Sequence, residues 1–353
     1  MNSHSSRPEQ PAQPAQPADG AGAGQVMGIL FGHWQTKLLL TAMDADLFTH
    51  LSGSPATADE LAARLGHRMP GAESFFVGLV GLGLLETDGG RYANGPAAEQ
   101  HLVRGRPGFM GGYLQFCQRE LNPAWDGLGE ALRTGEPQNR AAREGNPYHS
   151  LYEDKPATDL FLDSMDMFNS GIAAHLADLD WSRWTSFVDV GGARGNIAHE
   201  LVSRHPHLTG TVFDLPPLEP SFDAHMAGLG GTAAVSFHGG DFFADPLPEA
   251  DVLVFGHVLH NWGPEDRLRL LRSAHRAVRP GGAVIVYDPM VGDAVPSLYA
   301  TLASLSMLVW SNGGREYSVD ECHAWLKETG FRPETVALPD GVNEVLVVAH
   351  KDS

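Results

Sequence analysis

The sequence predicts a two-domain α/β protein: a C-terminal doubly wound, Rossmann-like sheet domain preceded by a mostly helical, winged-helix-like domain. Three observations predict this. The chain has 353 residues, too many for one ordinary core. From Phe187 onward short apolar runs alternate with helical patterns, as expected of a sheet with helices on both faces. Before that, two short helices and a tight hairpin follow one another in winged-helix order.

Taken in order, residues 1–24 are rich in Pro, Ala, Gln, Ser and Gly and carry the near-repeat Pro-Ala-Gln-Pro-Ala-Gln-Pro-Ala. Such a segment buries too little apolar surface to offset its ordering entropy, so it is expected to be a disordered tail. Residues 25–180 are assigned to the helical domain. Leu39, Met43, Leu47 and Leu51 recur at four-residue spacing, which predicts helix over about 25–51. Thr57-Ala58-Asp59-Glu60 has capping-box spacing and starts a short helix ending near Gly66. A second helix is expected over Gly71–Leu85. Asp88-Gly89-Gly90 then turns the chain between Leu84-Leu85-Glu86 and Arg91-Tyr92 as a hairpin. Residues 107–180 are mostly helical, with a polar interruption from Thr134 to Tyr148.

Residues 181–353 form the sheet domain. Strands are expected at Ser186–Val190, Gly210–Phe213, Val252–Phe255, Ala283–Tyr287 and Glu344–Ala349. Helices fall between them, as at Ile197–Arg204 and Pro264–Val278. Pro264 suits a first helical turn, and Arg279-Pro280-Gly281-Gly282 stops the helix.

Composition excludes several classes. The formal net charge is −19, with no local basic patch, so binding to nucleic acid or to an anionic membrane is not expected. There is no apolar run of about 18 residues and no signal-peptide pattern at the start. The two cysteines, Cys117 and Cys322, are far apart, which suits a reducing cytoplasm rather than a disulfide framework. The second winged-helix segment carries one charge, Glu73. A groove-reading helix needs Arg, Lys, Asn or Gln on its outer face. A helix apolar on nearly all sides is instead buried, and a homodimer interface is the expected partner surface.

The motifs that carry chemistry lie in the sheet domain. Phe187-Val188-Asp189-Val190 is a short strand running into Gly191-Gly192-Ala193-Arg194-Gly195. Glycines there admit a ligand close to the backbone. Their spacing does not match the dinucleotide fingerprint, which needs glycines at relative positions one, three and six. Asp214 and Leu215 end the next strand, about twenty residues on, where a carboxylate can accept hydrogen bonds from ribose hydroxyls. Asp241-Phe242 follows, an acid and a ring that suit adenine. Alone, each is an ordinary strand-end turn former. In this order they point to S-adenosylmethionine, which has no phosphate to cradle.

Asp-Val-Gly-Gly-x-x-Gly, Phe-Asp-Leu-Pro, Gly-Asp-Phe-Phe, Val-Leu-His-Asn-Trp, Arg-Pro-Gly-Gly and Gly-Gly-Arg-Glu occur in sequence. Over about residues 27–350 the chain therefore resembles the methyltransferase class that includes plant caffeate-type enzymes, hydroxyindole O-methyltransferases and bacterial antibiotic-tailoring enzymes. The resemblance implies an intertwined homodimer formed through the N-terminal domain, which also covers the active site. It implies adenosylmethionine as cofactor, with adenosylhomocysteine as product and no metal. It assigns Gly191, Gly192 and Gly195, with Asp189, to the cofactor loop, Asp214 to the ribose, and Asp241 and Phe242 to adenine. It assigns His260 as general base and Asp288 and Glu316 as the acids flanking it. Three departures stand out. Ala193-Arg194 replaces smaller residues, so Arg194 is expected either in solvent or on the cofactor carboxylate. Asn261 stands where many members have Asp. Gly256-His257 lacks the Lys or Arg often found there.

Methyl transfer from a sulfonium is an in-line displacement, so the protein must align the acceptor and remove its proton. A phenol ionises near pH 10, and histidine is the natural base at neutral pH. His260 lies just beyond the strand Val252–Phe255, and Asp288 just beyond Ala283–Tyr287, at the carboxyl ends where ligands bind in open α/β sheets. A carboxylate beside His260 fixes its tautomer. The expected acceptor is a hydroxyl on an aromatic small molecule of secondary metabolism such as antibiotic biosynthesis. Phe161, Met165, Asn261, Met307 and Trp310 are candidate acceptor contacts, although Met and aromatic residues at helical spacing are also ordinary core. C- or N-methylation of an aromatic ring, non-methylating chemistry on the same fold, and a ligand-sensing regulator are the alternatives. His238, His257 and His275 show no metal-ligand grouping.

Overall fold

The structure, a computed structural model, describes residues 19–66, 71–106, 108–230, 233–291 and 297–353. It divides into two compact units, Met1–Arg106 and Pro107–Ser353. The expected boundary near residue 180 is therefore corrected to the segment after Arg106. The reason is packing: the helix over Lys155–Ala177 buries Ile172, Leu176 and Ala177 in one core with the sheet strands that follow.

In the first unit α1 spans Asp19–Asp44, so residues 19–24 of the expected disordered tail are helical. Extending an established helix adds a hydrogen bond per residue fixed, without the nucleation penalty. The rest of that tail lies outside the described residues. Asp46, in the left-handed region at φ 52°, separates α1 from α2 (Leu47–Leu51). The capping box of Thr57 and Glu60 starts α3 (Ala58–Leu65), which Gly66 closes. α4 spans Ala72–Gly81, shorter than expected because Gly83 takes up φ 71° just after its end. β1 (Leu85–Asp88) and β2 (Arg91–Asn94) pair through Gly89-Gly90, with φ 55° and 78°. A two-residue turn of this kind needs positive φ at both positions. α5 (Pro96–His101) completes the unit.

The second unit begins with short helices: α6 (Gly111–Phe116), α7 (Asn122–Trp125), α8 (Leu128–Thr134), α9 (Arg140–Glu144) and α10 (Pro147–Glu153). The long α11 (Lys155–Ala177) follows, capped by Asp154. The sheet comprises β3 (Ser186–Val190), β4 (Thr209–Asp214), β5 (Val235–Gly239), β6 (Ala250–Gly256), β7 (Val278–Asp288), β8 (Phe331–Val336) and β9 (Val345–Lys351), in the order β5-β4-β3-β6-β7-β9-β8. The pairings are parallel except those of β9 with β7 and with β8, which are antiparallel. The helices between them are α12 (Asn196–Arg204), α13 (Glu219–Gly228), α14 (Pro264–Ala277), α15 (Leu298–Trp310) and α16 (Val319–Glu328).

Successive strand residues face opposite cores. Val188, Val190, Leu253 and Phe255 pack with Leu270, Leu271 and Leu326 on one face. Phe187, Val252 and Val254 pack with Leu176, Ile197 and Leu201 on the other. Chain order reverses between β3 and β6, and at such a switch point the loops diverge and open a crevice at the carboxyl ends. The glycine loop and the His260 turn leave the sheet at that crevice. Among the described residues no helix is long and apolar enough to cross a membrane.

Candidate active site

β3 delivers the chain into Gly191, which adopts φ 72°. A Cβ there would lie 2.8 Å from Val258 Cγ2, closer than side chains tolerate. The neighbouring loop is tied to the end of β4: Ala193 N–H donates to Asp214 Oδ2 at 2.9 Å, and Leu215 N–H to Asp214 Oδ1 at 2.7 Å. Burial pushes the Asp214 carboxyl up to about 6 against the pull of these two donors. Gly191, Ala193, Asp214, Leu215, Asp241 and Phe242 line one cavity. The Phe242 ring meets Trp262 edge-on at 5.8 Å, and Asp241 Oδ1 accepts the Phe243 N–H at 2.8 Å. This donor set fits adenosylmethionine: bare backbone at a glycine, a fixed carboxylate for ribose hydroxyls, and an acid beside a ring for adenine. Gly191→Ala should weaken cofactor binding by about tenfold, from left-handed strain and the overlap with Val258. Isothermal titration checks this, and an unchanged Kd would show that the loop tolerates a side chain.

Asp189, Gly192 and Gly195 do not line this cavity. Asp189 sits beneath the loop, where a Cβ on Gly192 would lie 2.6 Å from its carboxyl group. Asp189 Oδ2 has no hydrogen-bond partner among the described residues, and burial, then the charge of Asp214, pushes this acid up to about 7. Gly195 caps α12, and a Cβ there would meet the Phe222 ring at 3.0 Å, so it serves packing between α12 and α13. Neither expected position for Arg194 is found. Its side chain is 19% exposed, and its guanidinium ion-pairs with Asp166 and, at 2.8 Å, with Asp163 on α11. Asn196 also donates to Asp166. The bulk of Arg194 thus ties the loop to α11 rather than reaching the cofactor.

The second group forms where β6 and β7 end. A short 3-10 turn, Leu259–Asn261, carries His260. Its Nδ1 lies 2.7 Å from Glu316 Oε1 and 3.6 Å from Asp288 Oδ1. Both acids are buried, Asp288 completely. Burial lowers the imidazole's proton affinity, but Glu316 and Asp288 outweigh it and raise His260 to about 9. Asp288 is raised to about 7, chiefly by burial. The Tyr317 hydroxyl donates to Asp288 Oδ2. Beneath the turn lies Arg267, fully buried in α14. Its Nε donates to Leu259 O at 2.9 Å and Nη2 to Arg315 O at 2.5 Å, and the guanidinium stacks on Tyr317 and Trp325. It therefore holds both the His260 turn and the segment bearing Glu316.

Sequence reasoning missed Arg267 and Tyr317. In Arg267-Leu268-Arg269-Leu270-Leu271-Arg272 nothing separates the buried arginine from exposed ones. His257 was also misjudged as ungrouped. One ligand-type atom from each of His257, His260 and Asp288 lies within 4.8 Å of the others, a proximity created by the fold.

A second cavity adjoins the first. Phe161, Met165, Asn261, Met307 and Trp310, the expected acceptor contacts, all line it together with His260. Phe161, Met165 and Asn261 border both cavities. Phe116 packs against Phe161 and Trp310 at 5.7 and 5.4 Å, giving an aromatic wall. Leu302 also lines it, whereas Leu308 packs against the small core of Ala124, Ala131 and Val309.

A doubly wound sheet with this crevice and donor set defines an adenosylmethionine-dependent methyltransferase. The chain belongs to the O-methyltransferase family: residues 125–332 match its O-methyltransferase domain and residues 27–104 its O-methyltransferase dimerisation domain. It is 46% identical over 325 residues to the tetracenomycin polyketide synthesis 8-O-methyl transferase TcmO of Streptomyces glaucescens, covering 90% of this chain and 95% of that one. It is 39% identical to the N,N-dimethyltransferase OxyT of Streptomyces rimosus, covering 94% and 97%. The crystal structure of human N-acetylserotonin methyltransferase in complex with SAM matches with a TM-score of 0.85 at 26% identity, over 97% of this chain and all of that one.

Proposed function

We propose that the protein transfers a methyl group from adenosylmethionine to a hydroxyl of an aromatic polyketide-type small molecule, with His260 as general base. One observation carries this reading: the buried His260 is held through Nδ1 by Glu316 and borders an aromatic-walled cavity beside the cofactor cavity. Adenosylmethionine supplies a methyl group already activated by a positively charged sulfur. The aromatic wall of Phe116, Phe161 and Trp310 orients a planar acceptor and excludes water. With Nδ1 engaged by Glu316, Nε2 takes the hydroxyl proton. Glu316 and Asp288 stabilise the imidazolium, and Arg267 keeps the turn and Glu316 in register. Asp189 supports the glycine loop from below. The 8-O-methyl transfer carried out by TcmO, the 46% relative, supports an aromatic polyketide hydroxyl as acceptor. The N,N-dimethyl transfer of OxyT, the 39% relative, favours a second reading, methylation of an amine nitrogen. Incubation with labelled cofactor and matched phenols and aryl amines separates them. Methylation of amines alone would overturn the hydroxyl reading.

The base must be neutral to accept a proton, and His260 is raised to about 9. kcat/KM is therefore expected to climb with pH from neutrality to about 9 in the free enzyme. Glu316→Gln removes the largest group that raises His260, so this limb should move towards neutral pH while the plateau falls. A pH–rate profile unmoved by the substitution would remove Glu316 from the base assembly.

The working form is proposed to be a homodimer through the N-terminal unit, in a reducing cytoplasm. α1 exposes Val26, Ile29, Leu30 and Trp34, with Ile29 75% accessible, a stripe that a lone chain leaves in water. Both cysteines are unpaired. Ile29→Asp combined with Trp34→Asp should yield a folded monomer by light scattering. A dimer that persists would place the interface elsewhere.

A further inference from the structure

We propose that His257 is a second acceptor-positioning residue, and that it selects aromatic acceptors carrying another hydroxyl next to the one methylated. The inference rests on the aromatic-hydroxyl reading above and names its substrate class more closely.

Four observations carry it. First, His257 borders both cavities, so its ring stands where the acceptor meets the cofactor. Second, its backbone is in the left-handed region at φ 53°, which is uncommon for a side chain of this size and marks a site held against local preference. Two hydrogen bonds hold it there. His257 N–H donates to Tyr287 O at 3.0 Å, and Asn261 Nδ2 donates to His257 O at 2.8 Å. An aspartate at position 261 could not make the second bond. Third, the ring has no hydrogen-bond partner among the described residues, although its side chain is only 9% exposed and its Nε2 is wholly buried. Fourth, the ring stands beside that of His260, with centroids 5.7 Å apart. Two neighbouring hydroxyls of one acceptor, each hydrogen-bonded at about 2.8 Å, suit rings so placed.

The chemistry follows from which groups face each imidazole. Glu344 Oε1 lies 3.7 Å from His257 Nε2, beyond hydrogen-bond reach but close enough for its charge to favour a proton there. A proton drawn to Nε2 by that carboxyl leaves Nδ1 as an acceptor. Burial, then the charge of His260, drives His257 down to about 3, so it stays neutral wherever the enzyme works. A neutral ring that accepts but does not take up a proton cannot replace His260 as base. It can receive a hydrogen bond from a second hydroxyl and so fix which oxygen faces His260. The other ionisable groups facing this pair are Asp288, Glu316 and Glu344, and the Tyr287 ring packs edge-on at 5.3 Å.

The test uses two isomeric probes, 2,3- and 2,7-dihydroxynaphthalene, which carry the same hydroxyls on the same rings and differ only in adjacency. The native enzyme should favour the 2,3-isomer by about tenfold in kcat/KM, the scale of one buried hydrogen bond. It should also slow by a similar factor after one methylation, because 3-methoxy-2-naphthol no longer offers the second donor. His257→Phe keeps the ring and removes its nitrogens, so the isomer ratio should fall to within about threefold. His257→Asn tolerates positive φ and keeps a side-chain acceptor, so it should restore part of the ratio. If the Phe variant does not fold, the native ratio and the fate of 3-methoxy-2-naphthol still decide. Equal rates on both isomers with the native enzyme overturn the proposal, as does a ratio that His257→Phe leaves unmoved. A loss of cofactor affinity with the ratio intact assigns the ring to the cofactor and also overturns it. Absence of transfer to any phenol overturns the hydroxyl reading itself, a result distinct from transfer without discrimination.

Discussion

His260→Ala is expected to lower kcat/KM for methyl transfer by about 10²- to 10⁴-fold, the usual contribution of a positioned general base. Binding of adenosylmethionine should stay within about threefold of native, because His260 lines the acceptor cavity and not the cofactor cavity. The size of the loss follows from the surroundings of the imidazole. It is buried, held by Glu316 at 2.7 Å, and backed by Asp288 at 3.6 Å. Neither His257, which stays neutral, nor the Tyr317 hydroxyl, already given to Asp288, can take its place. The substitution also removes the group that titrates in this limb, so the pH limb assigned to His260 should vanish. Single-turnover rates with labelled cofactor, measured beside calorimetric affinity, check both halves. Near-native turnover would sink the general-base assignment, whatever the affinity.

Asp214→Ala should weaken cofactor binding by about a hundredfold or more. Two effects add. The carboxylate's hydrogen bonds to ribose hydroxyls are lost, at about 1.5–3 kcal/mol for a charged acceptor. The N–H groups of Ala193 and Leu215, now paired with Asp214 Oδ2 and Oδ1, lose their acceptor, and the glycine loop loses its tie to β4. Asp214→Asn keeps one acceptor but turns an amide N–H₂ towards a backbone donor, so its affinity should fall between the two. At saturating cofactor kcat should fall far less than kcat/KM, since Asp214 lies away from His260. Unchanged calorimetric affinity in Asp214→Ala would remove it from the site.

The inner sheet was legible in the sequence and its edges were not. The five expected strands correspond to β3, β4, β6, β7 and β9, all interior to the sheet. β5 and β8 were missed, and they are the two edge strands. Phe331-Arg332-Pro333-Glu334-Thr335-Val336 is half exposed and contains a proline, which an edge tolerates because one side needs no ladder bond. Interior strands are covered on both faces and so carry the continuous apolar runs that periodicity detects. The domain boundary was misread for a related reason. The helices from 107 to 180 resemble those before them in pattern, and only packing shows that α11 joins the sheet core.

The site divides the same way. Short-range features were written in the chain: the loop after β3, the acid ending β4, the His-Asn-Trp turn after β6, the hairpin glycines and the capping box at Thr57. Each depends on neighbours a few residues apart, and backbone dihedrals and spacing determine them locally. What only the tertiary structure decided is which of these groups meet. It placed Asp189 and Gly195 in support of the loop rather than on the cavity, and it paired Arg194 with acids about thirty residues earlier. It set Arg267 beneath His260, and it brought His257 and Glu344 together from the ends of β6 and β9. Such contacts join residues far apart in sequence, so their burial and their partners exist only once the sheet and its flanking helices have packed.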